Sequence, residues 1–388
     1  MNVIHIFPFF SISRGGGTTW LITEIAKGQT KYTDVIPSIH SGSYDFDSNL
    51  ENEVSKFGVK VKISKSFFNS LNIFLMPGLV FSSFKYLKNV DVIHFHLFRS
   101  FQNIIFYFAA RILKKPYIID AHGSLPRHFK KKLLKKRIFD LLIGNRIIKN
   151  AKFFIAENEL SLSECLEFGV PEQKIKIVRP PFPVNDFDDI KILNLLSEKF
   201  NISKSKKKVL FFGRLHKIKA VDHIINGFYE LSKKRKDIQL IIMGPDQGEL
   251  IYLKDLVSSY GLEQMVTFTG YLGGNEKLSV IKECDICVQS SLYEQGAGAP
   301  FESVLCGTPI LVSDNSGAGM DVKRISAGRL FRLGDSKDMA SKIEFALENY
   351  DIIKSETKQA AKKIKEELSF KNVLGNYSDI YKKCLIKI

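Results

Sequence analysis

The chain has 388 residues, 45% of them apolar, and carries 57 basic against 41 acidic residues for a net charge of +16. At about 100–200 residues per domain, that length favours two domains with ordinary cores, and the composition excludes collagen-like, mucin-like and acidic-tail chains. The positive excess attracts polyanions, whether nucleic acid, an anionic bilayer or phosphorylated substrates, without choosing among them.

The N-terminus, Met1-Asn2-Val3-Ile4-His5-Ile6-Phe7-Pro8, is apolar but has no basic segment and contains His5 and Pro8. It reads as a buried strand over 2–7 rather than a signal peptide. Arg14-Gly15-Gly16-Gly17-Thr18-Thr19 follows and opens a helical stretch over 20–27. Glycines let backbone approach a ligand, and a helix N-terminus offers amides to an anion. Neither the dinucleotide spacing nor a P-loop Gly-Lys-Ser/Thr is present, so an ordinary tight turn competes with this reading. Further strands are expected over 34–39, 59–63, 91–95, 117–120, 153–156 and 175–179. The greasiest stretch, 67–87, is interrupted by Asn69, Ser70, Asn72, Pro77 and Lys85. It falls short of the ~20 apolar residues that span a bilayer and reads as buried or interfacial.

His94 and His96 read as structural. His122, in Asp120-Ala121-His122-Gly123, lies at a strand's end, where it would face a cleft; a structural role competes. In the helical stretch 127–149, Lys131, Lys132, Lys135 and Lys136 fall on one side, and Leu133, Leu134, Ile138 and Leu141 mostly on the other. Such a face suits anionic lipid headgroups, or is simply the solvated side of a core helix. Aromatics sit in apolar runs and do not interleave with lysines as a base-stacking groove requires.

Arg179-Pro180-Pro181-Phe182-Pro183 cannot continue a helix or a central strand. We place the first domain at 1–184, a polar linker at 185–206, a second domain at 207–365 and a helical tail at 366–388. In the second domain strands are expected over 209–212, 239–243, 266–269, 286–289 and 310–312, with helices over 221–234, 249–260 and 276–284. This alternation is α/β: parallel sheets with crossover helices, once per domain.

Gly213-Arg214-Leu215-His216-Lys217-Ile218-Lys219 lies past the first strand of the second domain, where ligands bind in open α/β sheets. Arg214 and Lys219 could both grip one diphosphate. Glu294-Gln295-Gly296-Ala297-Gly298-Ala299-Pro300-Phe301-Glu302 sets two carboxylates around a small-residue loop that enters a helix. Its amides suit an anion, and its carboxylates suit sugar or ribose hydroxyls. A paired-carboxylate hydrolase and plain helix capping compete at this point. Five scattered cysteines indicate a reducing compartment, and Cys284-Asp285-Ile286-Cys287 has no second pair to complete a zinc site. Asp45-Phe46-Asp47 and Asp186-Phe187-Asp188 stand in no convincing metal context.

In this order, the elements resemble the retaining glycosyltransferases of family 4. The most specific part is Glu294, seven residues, Glu302, then Cys306-Gly307-Thr308-Pro309, followed by Gly213-Arg214-Leu215 with Lys219. The resemblance implies the GT-B fold: two Rossmann-like domains facing a central cleft, the first binding the acceptor and the second the nucleotide-sugar, with a C-terminal helix crossing back to the first. It implies that Arg214 and Lys219 bind the donor diphosphate and that Glu302 accepts from ribose hydroxyls. Glu294 with Gly296, Ala297, Gly298 and Ala299 would hold the donor sugar, and His122 would touch it from the first domain. Gly16 and Gly17 would approach the phosphates or the reaction centre, Gly213 would bind the donor, and the base would lie near Gly270-Tyr271. Two departures stand out: Lys219-Ala220 where the family often has Lys-Gly, and Arg179-Pro180-Pro181 where it commonly has a Pro-Asn-Gly turn.

The expected activity is transfer of a sugar from a UDP- or GDP-sugar to a glycan or lipid-linked acceptor with retention, without metal or cofactor. A role in bacterial surface polysaccharide or glycolipid synthesis fits, as does a cytoplasmic location with a peripheral position on the inner face of the plasma membrane. A nucleotide-sugar epimerase or phosphorylase of the same fold, and a non-enzymatic polyanion- or nucleic-acid-binding protein, are the alternatives; nucleic acid is not an expected partner.

Overall fold

The computed structural model describes residues 1–68, 74–125, 133–294, 296 and 298–386. The chain divides into two compact units, Met1–Phe182 with Leu368–Ile388, and Pro183–Glu367.

In the first unit the strands are β1 (Asn2–Phe9), β2 (Ile36–Gly42), β3 (Lys60–Ser64), β4 (Phe67–Phe68), β5 (Phe74–Leu75), β6 (Val92–His96), β7 (Tyr117–Asp120), β8 (Phe153–Ala156) and β9 (Ile175–Ile177). Seven of them form one parallel sheet in the order β3-β2-β1-β6-β7-β8-β9, while β4 and β5 pair antiparallel on their own. The second unit holds β10 (Lys207–Phe212), β11 (Ile238–Met243), β12 (Val266–Gly270), β13 (Ile286–Gln289), β14 (Ile310–Ser313) and β15 (Gly328–Phe331), ordered β12-β11-β10-β13-β14-β15. The near-continuous apolar runs of these strands follow from burial on both faces, as in β11, every residue of which is buried. Each sheet reverses its strand order at its first strand, β1 or β10. There the loops at the carboxyl ends of neighbouring strands part and a ligand crevice forms.

Register carries chemistry in the first sheet. His5 of β1 pairs across to His94 of β6, and His96 of β6 pairs with Asp120 of β7. Alternate residues share a face, so His94 and His96 point the same way. The last helix, Phe370–Leu385, belongs to this unit and packs Val373, Leu374, Tyr377 and Tyr381 against Val3, Ile25, Val92 and Ile118. The chain re-enters where Phe182 N donates to Leu368 O at 2.8 Å.

Residues 183–206 contain no strand but are not loose. Leu193 N donates to Ser279 Oγ (2.7 Å), and the amides of Leu195 and Leu196 donate to Glu283 (3.1 and 3.0 Å), so the segment is part of the second unit. The stretch 67–87 becomes β4, β5 and helix Leu79–Leu87, which buries Leu79, Ser83 and Leu87 while Phe81 stays exposed. Among the described residues no helix is long and apolar enough to cross a membrane.

The basic stretch departs from expectation. Helix Leu133–Phe139 runs into a π-helical turn, Asp140–Gly144, and then helix Asn145–Asn150. Phe139, Ile143 and Ile147 take the core-facing side, so Leu134, Ile138 and Leu141, expected on an apolar face away from the lysines, are exposed beside Lys135. Leu134 and Ile138 precede the π turn, so their exposure follows from Phe139 and Ile143 holding the core-facing side, and the wider turn alters the 3–4 spacing only from Asp140 onward. Lys131 and Lys132 lie outside the described residues.

Candidate active site

The second unit gathers the expected donor residues at the carboxyl ends of β10 and β13. Gly213 ends β10 at φ +151° and donates its amide to Met243 O (2.9 Å). A Cβ on the facing Gly244 would sit 1.8 Å from Gly213 O, so these two loops meet at a distance only glycine permits. Leu215 N then bonds Pro245 O and Gln247 N bonds Leu215 O, zipping the loops together. Arg214 emerges from this zipper exposed, with Nη1 donating to Gln247 Oε1 (2.9 Å).

A single tight turn, Lys217–Lys219, capped by His216 Nδ1, delivers Lys219. Its ammonium pairs with Glu294 Oε2, which also accepts from Ser291 Oγ (3.2 Å). Ala220, next in line, takes φ +48°, the left-handed conformation that glycine supplies without strain. The backbone geometry of a Lys-Gly turn is therefore retained with a residue that pays strain for it, and Ser290 Oγ pins the turn through the carbonyls of Lys219 (3.1 Å) and Ala220 (2.7 Å).

Around Lys219 lies a cavity of about 80 Å³, also lined by Glu294, Gly296, Gly298, Ala299 and Ser316. Two helices begin on its wall. Helix Gly298–Leu305 starts from the small-residue loop, and helix Gly317–Ile325 is capped by Ser316, whose Oγ accepts from Gly319 N (3.0 Å). Two positive helix ends and an ammonium on one cavity make an anion site with a carboxylate at its edge. Ala297 lies outside the described residues. Glu302, on the first of these helices, is gripped by Lys277 Nζ at 3.0 Å to each carboxylate oxygen. Lys277 went unnoticed in the sequence, since a lysine on the exposed side of a helix carries no local signal. Tyr271 follows β12 with its ring exposed.

In the first unit the glycine loop lies within helix Ile12–Tyr32, broken at Gly16 by φ +55°. Gly15 is the crowded member: a Cβ there would meet Thr19 Oγ1 at 1.9 Å, whereas Gly16 and Gly17 face open space. His122 also has positive φ, +43°, but its ring does not stand free: the side chain is 4% exposed and both nitrogens are engaged. Nδ1 meets Glu157 Oε1 at 2.6 Å, and Nε2 meets His96 Nδ1 at 2.8 Å. Glu157, directly after β8, also went unnoticed, although its place past a strand end was a legible cue.

The proton positions follow from connectivity. Gln29 Nε2 donates to Tyr381 Oη (3.2 Å), so its Oε1 accepts from His5 Nε2 (2.9 Å). A neutral His5 must then accept at Nδ1 from His96 Nε2 (2.9 Å), and a neutral His96 must accept at Nδ1 from His122 Nε2. With Nδ1 facing a carboxylate, His122 carries both protons and is an imidazolium. Electrostatics agree: burial alone would lower it, but Asp120 and Glu157 outweigh burial and lift it to about 9. Burial holds His5 at about 4 and keeps His94 and His96 well below the ordinary histidine value. Burial raises Asp120 to about 7 in spite of His122. His5, His94 and His96, and likewise His96, Asp120 and His122, cluster closely enough to suggest a metal. However, His5, His96 and His122 spend their facing nitrogens on one another, and within these two clusters His94 Nε2 is the nitrogen without a hydrogen-bond partner.

Residues 15–185 match the profile of Glycosyltransferase Family 4, and residues 194–366 that of Glycosyl transferases group 1. An uncharacterized glycosyltransferase of Methanocaldococcus jannaschii is 30% identical over 74% of this chain and 73% of its own length. The chain belongs to glycosyltransferase family 4. Over 78% of its length it is 26% identical to the N,N'-diacetylbacillosaminyl-diphospho-undecaprenol alpha-1,3-N-acetylgalactosaminyltransferase of Campylobacter jejuni, covering 81% of that protein. Anabaena HepE in complex with UDP superposes with a TM-score of 0.79 at 18% identity, covering 99% of this chain and 100% of that one. The fold of this family 4 glycosyltransferase is GT-B.

Proposed function

We propose that this family 4 glycosyltransferase transfers a sugar from a nucleoside-diphosphate sugar, UDP- or GDP-linked, to an acceptor hydroxyl with retention and without a metal. The observation that carries the reading is the Lys219 cavity, where an ammonium and two helix N-termini stand beside Glu294. Relatives support it: HepE is described with UDP and with UDP-glucose. The Campylobacter relative acts on a diphospho-undecaprenol acceptor, which favours a glycolipid or surface-polysaccharide product and a place at a membrane surface.

Breaking the donor bond builds charge on the departing diphosphate and an oxocarbenium-like sugar. Lys219, Arg214 and the helix amides would stabilise the diphosphate as charge develops. Glu294 would hold sugar hydroxyls and Glu302 the ribose. The acceptor would attack from the face the diphosphate leaves, and the departing phosphate oxygen would take its proton. His122, fixed as a cation with both protons committed, cannot serve as the general base in this scheme.

Thermal shift with UDP, GDP, ADP and CMP, with and without EDTA, tests the donor site. One nucleotide at about 100 times Kd should stabilise the protein by ~2.7 kcal/mol, unaffected by EDTA. Arg214→Ala and Lys219→Ala should each lower turnover about 10²-fold. Near-normal turnover in both variants removes the diphosphate assignment, and a product of inverted anomeric configuration removes retention.

A further inference from the structure

The first unit holds a cavity of about 520 Å³ at the amino ends of β7 and β8. Tyr117 opens β7 and Lys152 precedes β8, whereas His122 and Glu157 follow the carboxyl ends of the same two strands. The cavity therefore lies at the opposite end of the sheet from the histidine cluster, and nothing in the transfer scheme uses it. Its volume is within the ~300–1,000 Å³ of small-molecule sites. Three independent features point to one class of ligand.

The first is unmatched positive charge. Arg111, Lys114, Lys115 and Lys152 line the cavity, and among the described residues no carboxylate does. Nor, among those residues, does any of the four form a salt bridge; Lys115 Nζ reaches the carbonyl of Lys88, at 3.5 Å. Helices Phe101–Ile112, Asn145–Asn150 and Phe370–Leu385 end here, and their dipoles account for part of this charge. Three C-termini at about −0.5 each amount to about −1.5 charges. Lys174 already serves one of them, through the carbonyls of Lys149 (2.7 Å) and Ala151 (3.0 Å). The four cations therefore exceed the dipoles by roughly 2.5 charges. The crowding is felt next door: burial and then the Lys152 charge lower the Lys174 pKa below the ordinary lysine value.

The second is the backbone under Lys114. Helix Phe101–Ile112 closes with the Lys114 amide on Arg111 O (3.4 Å) and the Lys115 amide on Ala110 O (2.9 Å), a pair of bonds that puts residue 114 in the left-handed conformation, φ +53°. Glycine adopts that conformation freely and is the usual residue there, whereas lysine is strained in it. What the lysine adds over glycine at this turn is its exposed side chain on the cavity wall.

The third is the rest of the wall, which is equipped to bind and not to react. Tyr117 Oη is buried and donates to Ile147 O (2.5 Å), and burial pushes the Cys384 thiol up to about 12. Neither group is available as a nucleophile. Leu385 and Ile386 stand exposed on the rim, and Ile112, beside Arg111, is 67% exposed. A basic hollow with an apolar rim suits an anionic group that is bare or carries an apolar substituent.

We propose that this cavity is a binding site for a phosphate-bearing polyanion, held by Arg111, Lys114 and Lys152 and separate from the transfer reaction. Arg111 would offer its planar fork to two phosphate oxygens, and the two lysines would act as point charges on either side. A free diphosphate and the phosphate of an anionic lipid share that chemistry, and the lipid would add contact with Leu385 and Ile386. The site stands whether or not the donor reading above does.

Two probes test it on the full chain: calorimetric titration with pyrophosphate in saturating UDP, which fills the Lys219 site, and co-sedimentation with phosphatidylcholine vesicles made with or without phosphatidic acid. If UDP does not bind, the titration is run in Lys219→Ala instead, so failure of the donor reading leaves this test intact. Lys114→Gly is the decisive variant, because it removes a charge while supplying the residue the backbone favours. Its melting temperature should hold or rise while affinity for the bound probe falls about tenfold or more. Lys152→Gln should weaken binding likewise, and Lys114→Arg should keep it. Lys254→Gln, the same charge change at an exposed position of the second unit, should leave binding unchanged. Pyrophosphate alone bound names the free anion, vesicles with phosphatidic acid alone bound name the lipid, and both support the shared chemistry. Neither probe bound, full affinity in Lys114→Gly and Lys152→Gln, or an equal loss in Lys254→Gln overturns the proposal. Binding lost only together with a lower melting temperature in both cavity variants makes these lysines structural and overturns it too.

Discussion

Replacing Gly244 by alanine tests how closely the diphosphate loop is built onto the second sheet. The new Cβ would lie 1.8 Å from Gly213 O and 2.7 Å from Gly213 C, and residue 244 sits at φ +151°. Strain at such a backbone costs about 1–3 kcal/mol. Relieving the overlap requires Gly213 to move by more than an ångström against the Gly213–Met243 and Leu215–Pro245 bonds, which adds about 1–3 kcal/mol of overpacking. Gly248 is the control: its φ is +99° but no atom lies within 4 Å of its added Cβ, so Gly248→Ala carries strain alone. For a unit of this size, 1 kcal/mol moves the melting temperature by about 2–4 °C. Both variants share the strain, so the overpacking alone should set calorimetric melting of the second unit of Gly244→Ala about 2–12 °C below that of Gly248→Ala. Trp20, the chain's only tryptophan, lies in the first unit and should report an unchanged transition there. Nucleotide binding should fall with Gly244→Ala, since Arg214 is displaced with Gly213. Equal melting of the two variants would refute the claim that loop contact, rather than backbone conformation, dictates this glycine.

Ala220→Gly relieves about 1–2 kcal/mol of left-handed strain and gives back about 0.4–1 through a freer unfolded chain. A small net gain in urea midpoint is expected, and a loss above about 1 kcal/mol would show that the Ala220 methyl packs to more effect than its backbone suffers. Stability should peak near pH 6.5. His5, His40, His94 and His96 have folded pKa values below the unfolded 6.5, so each binds its proton more weakly when folded, and stability is lost as pH falls from 6.5 toward 4. Each such proton contributes up to about 1.4 kcal/mol per pH unit. His122, raised to about 9, contributes stability below 6.5 that is lost as pH rises through 9, and Asp120, raised by burial, adds to the same downward trend between 3.8 and 7. Urea midpoints from pH 4 to 9 check both limbs: His40→Gln should flatten the acid limb and His122→Gln the alkaline one, and limbs unmoved by either change would contradict the assignments. Glu294→Gln should leave UDP affinity intact or tighter, because Lys219 loses a competing carboxylate, while the extra affinity of a UDP-sugar over UDP falls about tenfold; isothermal titration with both ligands decides it.

Much of the fold was legible because parallel strands buried on both faces spell themselves as apolar runs. Val209-Leu210-Phe211-Phe212 and Ile238–Met243 needed no tertiary information. β15 did not read this way: Gly328-Arg329-Leu330-Phe331 lies at the sheet's edge, pairs only with β14, and has just two apolar side chains. The segment 185–206 looked like a linker because its contacts are backbone amides to Ser279 and Glu283, which leave no mark in hydropathy. Among site residues, those at strand ends or in glycine-rich loops stood out, since local chain geometry selects them. Gln29, Glu157 and Lys277 did not. Each matters through a partner far away in sequence: Gln29 through Tyr381, Glu157 through His122, and Lys277 through Glu302.

The pairing of Lys219 with Glu294 and of Lys277 with Glu302 resolves a difficulty in the proposed donor site. Two carboxylates beside a diphosphate should repel it, and a site built from Glu294 and Glu302 alone would be hostile to its ligand. Each carboxylate instead has a lysine in contact, so the local charge is balanced before any donor arrives. A diphosphate brings more negative charge than Glu294 and can draw the Lys219 ammonium toward itself and the helix amides. Glu294 is then released, already oriented by Ser291 Oγ, to accept from sugar hydroxyls. The exchange needs no new charged group, only a change of partner for one ammonium. It makes the binding of diphosphate and sugar interdependent: a bare sugar would face a carboxylate still held by Lys219, while a bare diphosphate would free a carboxylate that nothing uses.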